Sequence, residues 1–308
     1  VGMLMTAHLG IESIDGENPP PATLSHKVLT NLLREELGFK GVVVSDSMNM
    51  QAIQQGEALR GEVVKAAIAG VDLVMITSDP KDQRRAYEGL AAALEQGVLS
   101  ESEMNVSLRR IENLKQWVSD NFIQSDIDLI RCSKHLEIAK EIAEKSITLV
   151  RNQENLIPLN LPSDQKIVVV IPLPEDMTPA DTSSYVKPAL TESIRRYHPN
   201  TAEIQVGVEP TIDEINRIVQ SVREYDLVIL GTINAYAIEK QQVLVNEILD
   251  SGIPTILVAL RLPYDAMTFP EASTILCTYG ILEPSMKAAA DVIFGKISAK
   301  GISPVKLV

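Results

Sequence analysis

Gly41-Val42-Val43-Val44-Ser45-Asp46-Ser47-Met48-Asn49-Met50 sets an apolar strand against a carboxylate, placed where the strand gives way to a short polar turn. A helix-patterned segment follows at 57 to 69. Strand, polar turn and helix make the βα unit of a parallel sheet, and in βα barrels the turns after the strands carry the chemistry. Asp46 is therefore the leading candidate for a catalytic side chain. An Asp at a strand end serves equally well as a helix N-cap or turn former.

Outward from this unit, residues 1–118 alternate strands near 1 to 6, 41 to 45 and 71 to 76 with helices near 26 to 37, 57 to 69, 81 to 96 and 101 to 117. Ser100 and Glu103 have capping-box spacing, and Gly97 is placed to end the helix before them. A (β/α)8 barrel needs eight strands, so this segment is expected to be its last three βα units, with Val1-Gly2-Met3-Leu4-Met5 entering directly as a buried strand. Residues 119–145 form a polar linker and connecting helix, with the helical run beginning at Ser133. Residues 146–308 alternate again, with strands near 146 to 150, 166 to 171, 203 to 207, 226 to 230, 254 to 259 and 273 to 277. Thr211 and Glu214 repeat the capping-box spacing for a helix to about 223, and helices near 240 to 250 and 284 to 294 complete the layers. The expected fold class is α/β, the C-terminal part of a (β/α)8 TIM-type barrel followed by an α/β sandwich domain. Prolines in Asn18-Pro19-Pro20-Pro21 and in the loop from Leu173 to Pro179 are expected to set loop shape by fixing φ.

Composition narrows the function. The 308 residues include 41 acidic and 28 basic side chains, a net charge of -13, which argues against a nucleic-acid surface and its concentrated basic stripe. Charges interrupt every long apolar segment, so no membrane span is expected. Cys132 and Cys277 fall in unlike settings and are expected to be two buried free thiols. No His, Cys and carboxylate cluster has metal-ligand spacing, and no glycine-rich phosphate loop follows Gly231-Thr232, so neither metal nor nucleotide cofactor is expected. Val1 begins without a basic n-region, and in this reading the true start lies upstream, which leaves the compartment open.

Several short segments occur in a telling order. They are Met5-Thr6-Ala7-His8, Pro21-Ala22-Thr23-Leu24-Ser25, Leu33-Arg34, Leu37-Gly38-Phe39 and Val43-Val44-Ser45-Asp46. Ala69-Gly70-Val71-Asp72-Leu73, Ser146-Ile147-Thr148-Leu149-Val150-Arg151-Asn152, Pro263-Tyr264-Asp265 and Ala289-Ala290-Asp291-Val292-Ile293-Phe294-Gly295 follow. As an ordered set over essentially the whole chain they resemble glycoside hydrolase family 3. The resemblance implies retaining hydrolysis of a carbohydrate substrate, with Asp46 as nucleophile and no cofactor. Ser47-Met48-Asn49-Met50 lacks the Trp that follows the nucleophile in the family's β-glucosidases and is similar to the β-N-acetylhexosaminidase branch, although Ser47 departs from the acidic residue common there. The implied substrates are peptidoglycan fragments, as in peptidoglycan recycling, or chitin-like oligosaccharides.

Retaining hydrolysis also needs an acid/base, which that branch takes from a His-Asp pair on an earlier barrel loop. None of His8, His26, His135 and His198 matches it, so the N-terminal barrel half is expected in the same chain or a companion chain. His8, ending the first strand, and Met50 are the candidates for substrate binding; each also suits a structural role, His8 as a satisfied histidine and Met50 as core filler. The resemblance makes Asp72 a structural acid paired within the barrel. Asp265 and Glu283 are expected to do turn or cap chemistry. Three alternatives stay open: a β-N-acetylglucosaminide phosphorylase, a β-glucosidase, and a noncatalytic binding or assembly fragment.

Overall fold

The computed structural model describes residues 1–76, 79–176, 178 and 181–307, in two compact units, Val1–Ser125 and Asp126–Val308. Met177 and Pro179 of the second proline-containing loop lie outside the described residues.

In the first unit β1 (Met3–Met5), β2 (Val42–Ser47) and β3 (Leu73–Met75) form a parallel sheet in chain order, with Met3 opposite Val42 and Val44 opposite Leu73. Between β1 and β2 lie a single turn, α1 (Glu12–Asp15), and a π-helix at Lys27–Glu36, whose bonding runs on to Leu37 N–H on the Leu32 carbonyl. α2 (Leu59–Ala69) joins β2 to β3 and ends at Gly70, whose φ of 119° a side chain would strain. α3 (Pro80–Glu95) starts with Asp79 as N-cap and Pro80 in its first turn, where the missing N–H costs nothing. The Ser100 and Glu103 capping box opens α4 (Glu101–Asn121) as the spacing predicts.

The alternation of β2 explains its two faces. Val43 packs with Leu29, Leu59, Val63 and Ala66 against the helices, so Val44 and Asp46, two residues apart, share the opposite face. Strand β1 corrects an expectation: Met3 and Met5 are 41% and 54% exposed, not buried. Within the described sheet β1 has a neighbour on one side only, and apolar patterning reports what a strand suits rather than what covers it.

The second unit begins with α5 (Ser133–Ser146) and β4 (Thr148–Asn152), followed by β5 (Ile167–Pro172), α6 (Leu190–Arg195), β6 (Thr201–Val206), α7 (Ile212–Val222) and β7 (Leu227–Thr232). It ends with α8 (Glu239–Asp250), β8 (Thr255–Ala259), α9 (Asp265–Thr268), β9 (Thr274–Cys277) and α10 (Glu283–Ile293). The sheet order is β4-β9-β8-β7-β5-β6, parallel except for β4, which runs antiparallel to β9. Ile167, Val169 and Ile171 pack with α6 and α10 on one face, while Val168 and Val170 pack with α7 and α8 on the other. Burial on both faces is why β5 is a continuous apolar run instead of an alternating one.

Cys132 is a second correction, being only half-buried at the residue before α5, whereas Cys277 is fully buried at the end of β9. Burial pushes the Cys277 thiol up to about 12. Among the described residues no helix is long and apolar enough to cross a membrane, and no group of three or more His, Cys, Asp or Glu could hold a metal ion.

Candidate active site

Asp46 lies next to the C-terminal residue of β2, the end of a parallel barrel-type strand where catalytic side chains gather. It is half-buried, its N–H bonds the Thr6 carbonyl at 3.2 Å, and its Oδ1 accepts the Ser47 N–H at 2.7 Å. Ser45 and Ser47, on the other face of the strand, are buried, and Ser45 Oγ accepts the Met75 N–H at 2.9 Å. The carboxylate is therefore held by the backbone of the turn that follows it.

His8 stands after β1 and is joined to that turn. Its Nε2 donates to the Ser47 carbonyl at 3.0 Å, because a carbonyl only accepts, and its Nδ1 lies 2.8 Å from Thr23 Oγ1. Thr23 in turn meets Thr6 Oγ1 at 2.5 Å. Both ring nitrogens of His8 are thus engaged with protein. Met50 sits in the turn with its N–H on the Ser47 carbonyl at 3.1 Å and its side chain 45% exposed, while Met48 is fully buried in the core. The structure so brings His8 and Met50 onto Ser47, the residue next to Asp46.

Asp72 occupies the opposite end of the sheet, just before β3. Its Oδ2 accepts from Arg34 Nη2 at 2.6 Å and the Val43 N–H at 2.8 Å; its Oδ1 accepts from Arg110 Nη1 at 3.0 Å and from Ser107 Oγ. Burial pulls the Arg34 guanidinium below its usual range against the raising effect of Asp72. Cavities of about 360 and 230 Å³ adjoin Asp72 and not Asp46. A carboxylate with all these donors is a structural tie at the end of the barrel where stability, rather than chemistry, resides.

With this geometry in place, the sequence profile of the Glycosyl hydrolase family 3 N terminal domain matches residues 1–114. A solved glycoside hydrolase family 3 β-N-acetylglucosaminidase from Paenibacillus sp. str. FPU-7 superposes on all of this chain and 59% of its own, with a TM-score of 0.90 and 29% identity. Residues 1–114 thus carry a glycoside hydrolase family 3 N-terminal domain. Beta-hexosaminidase A of Pseudoalteromonas piscicida is 27% identical over 352 residues, 99% of this chain and 57% of that protein. A beta-N-acetylglucosaminidase/beta-glucosidase of Cellulomonas fimi is 25% identical, covering 92% of this chain and 52% of its own. The chain spans about half the length of these curated relatives.

Sequence patterns did not single out Gln55 or Asp82, which together with Asn49 brace the turn after Asp46. Gln55 Nε2 reaches the carbonyls of Met48, Met50 and Ile53 at 2.9, 3.1 and 2.7 Å, and Asn49 Nδ2 donates to Asp82 Oδ2 at 2.7 Å. The only cue in the chain was an irregular, amide-rich stretch before α2, Gln51 to Gln55. In the second unit Asp265 lies in the first turn of α9 and its carboxylate meets the start of the 3-10 turn Ala235–Ala237, in keeping with turn or cap chemistry. It is fully buried, with Oδ2 accepting from Thr232 Oγ1 at 2.7 Å and Oδ1 from the Tyr236 N–H at 3.0 Å, and burial pushes its carboxyl up. Glu283, in the first turn of α10, pairs with Lys287, which holds its carboxyl down.

Proposed function

We propose that this chain is part of a retaining glycosidase that releases terminal β-linked N-acetylglucosamine from peptidoglycan fragments or chitin-like oligosaccharides. The observation that carries the proposal is Asp46: a half-buried carboxylate at the C-terminal end of a parallel strand, oriented by a backbone N–H. Asp46 attacks the anomeric carbon, the glycosidic C–O bond breaks, and the leaving oxygen takes a proton from an acid. A glycosyl ester of Asp46 results. Water, deprotonated by the same group, then attacks the anomeric carbon and frees the carboxylate.

The acid/base in this reading is the His-Asp pair that the resemblance assigns to an earlier barrel loop, in the same chain or a companion chain. His8 and Met50 line the sugar side of Asp46, with Met50 offering an apolar contact to the acetamido methyl. The Ser47-Met48-Asn49-Met50 run and the names of the Paenibacillus and Pseudoalteromonas relatives support the acetamido sugar.

A 2-deoxy-2-fluoro-type or related inactivator applied to the complete enzyme should label Asp46, located by peptide mass spectrometry. Asp46→Asn or Asp46→Gly should abolish the intermediate with the fold unchanged, and label on another carboxylate overturns the assignment. An amide-binding site that leaves its polar groups unpaired loses orders of magnitude in rate, so kcat/KM for a β-N-acetylglucosaminide should exceed that for a β-glucoside by roughly a hundredfold or more. A glucoside preference overturns the substrate. Phosphate-dependent release of a sugar 1-phosphate would replace hydrolysis by phosphorolysis.

A further inference from the structure

The segment between Asp46 and α2 is irregular apart from one 3-10 turn at Gly56–Ala58, yet it is strapped from several directions. Gln55 supplies two amide N–H groups to the carbonyls of Met48, Met50 and Ile53, so at least one bond is shared. Asn49 donates to Asp82 in the first turn of α3; Asp82 Oδ1 accepts from Arg85 Nη1 at 2.9 Å, and Arg85 Nε donates to Glu57 Oε1 at 3.1 Å. Glu57 follows Gln55 by two residues, which closes a circuit from the turn through α3 and back. Met48 N–H on the Met75 carbonyl, at 2.9 Å, fixes the same turn to β3.

We propose that Gln55 and Asp82 are positioning residues for the candidate nucleophile, an inference that rests on the reading of Asp46 given above. The Asp46 carboxylate takes the Ser47 N–H, so its direction follows the peptide plane at the head of the strapped turn. The same straps set where Met50 stands. Neither Gln55 nor Asp82 need touch the sugar: releasing the turn tilts the carboxylate away from the anomeric carbon, and a misplacement of about 1 Å costs about a hundredfold in rate. Gln55 is exposed and the Asp82–Arg85 pair is part-buried, with side chains 14% and 26% exposed, so their removal is expected to disturb the geometry of the turn more than the stability of the unit.

The test uses the complete enzyme with 4-nitrophenyl β-N-acetylglucosaminide and 4-nitrophenyl β-glucoside. Gln55→Ala and Asp82→Ala should each lower kcat for the first substrate by about ten- to a hundredfold, lower its preference over the second, and leave Tm nearly unchanged. Gln55→Glu keeps the shape but has no N–H to give, so it should behave as Gln55→Ala. Asp82→Asn keeps an acceptor for Asn49 and should recover most of the kcat lost in Asp82→Ala. Arg84→Ala, on the exposed side of the same helix, is the control and should change nothing. An active parent enzyme whose Gln55→Ala and Asp82→Ala variants stay within twofold in kcat, or lose activity only in step with Tm, overturns the positioning roles and leaves Asp46 standing. A parent enzyme with no turnover and no label on Asp46 overturns the nucleophile reading and this inference with it.

Discussion

Replacing Asp72 by Asn keeps the side chain's shape and removes the charge that two arginines share. The Asp72 carboxylate is 1% exposed and the Arg34 side chain 9%, so water cannot substitute for either. Arg34 Nη2, Arg110 Nη1, Ser107 Oγ and the Val43 N–H all point at carboxylate oxygens; an Asn turns one of those oxygens into a donor facing donors. Removing one partner of a buried ion pair costs about 3–5 kcal/mol, because the remaining charge stays buried. For a unit the size of Val1–Ser125 that corresponds to a fall in Tm of roughly 10 to 20 °C. The single tryptophan, Trp117, lies in α4 on the same unit, so fluorescence during urea unfolding reports this unit selectively. A loss below about 1 kcal/mol in the Trp117-detected transition would refute the view that Asp72 is the electrostatic tie of the barrel.

Other outcomes follow from the same physics. Asp265 has a folded pKa above its unfolded value, so its contribution is fully present below the unfolded pKa and is lost as pH rises through the folded one; Asp265→Asn should flatten the decline of second-unit stability above about pH 4, measured by urea midpoints detected by circular dichroism. Cys277, buried and with a thiol pushed up to about 12, should resist a thiol reagent that modifies Cys132 in the native protein, and both should react in urea; equal native rates would contradict the burial. A Cβ on Gly89 would lie 2.6 Å from the Arg60 carbonyl oxygen where α3 crosses α2, so Gly89→Ala should cost about 1–3 kcal/mol by urea titration despite its better helix propensity.

Much of the architecture was legible because it rests on local patterns. The apolar run before Asp46, the capping boxes at Ser100 and Thr211, and the double-faced apolar strand at Ile167–Pro172 each act over a few residues, and each formed where its pattern falls. The short helix Leu190–Arg195 and the single turn Asp265–Thr268 had too few residues to show a period. The Lys27–Glu36 segment carried a helical period, which does not distinguish i→i+4 from i→i+5 bonding.

By itself, then, the sequence determined the longer strands and helices, and that Asp46 stands at the end of a strand, since periodicity and capping are properties of neighbours along the chain. Only the tertiary structure decided that Asp72 joins residues 34, 43, 107 and 110, that Asp265 is buried beneath Thr232 and Tyr236, and that Gln55 and Asp82 brace the turn after Asp46. Those groups are brought together by the packing of strands and helices distant in sequence. A polar side chain's partner is set by which donor the fold carries to within about 3 Å, and no spacing along the chain encodes that distance.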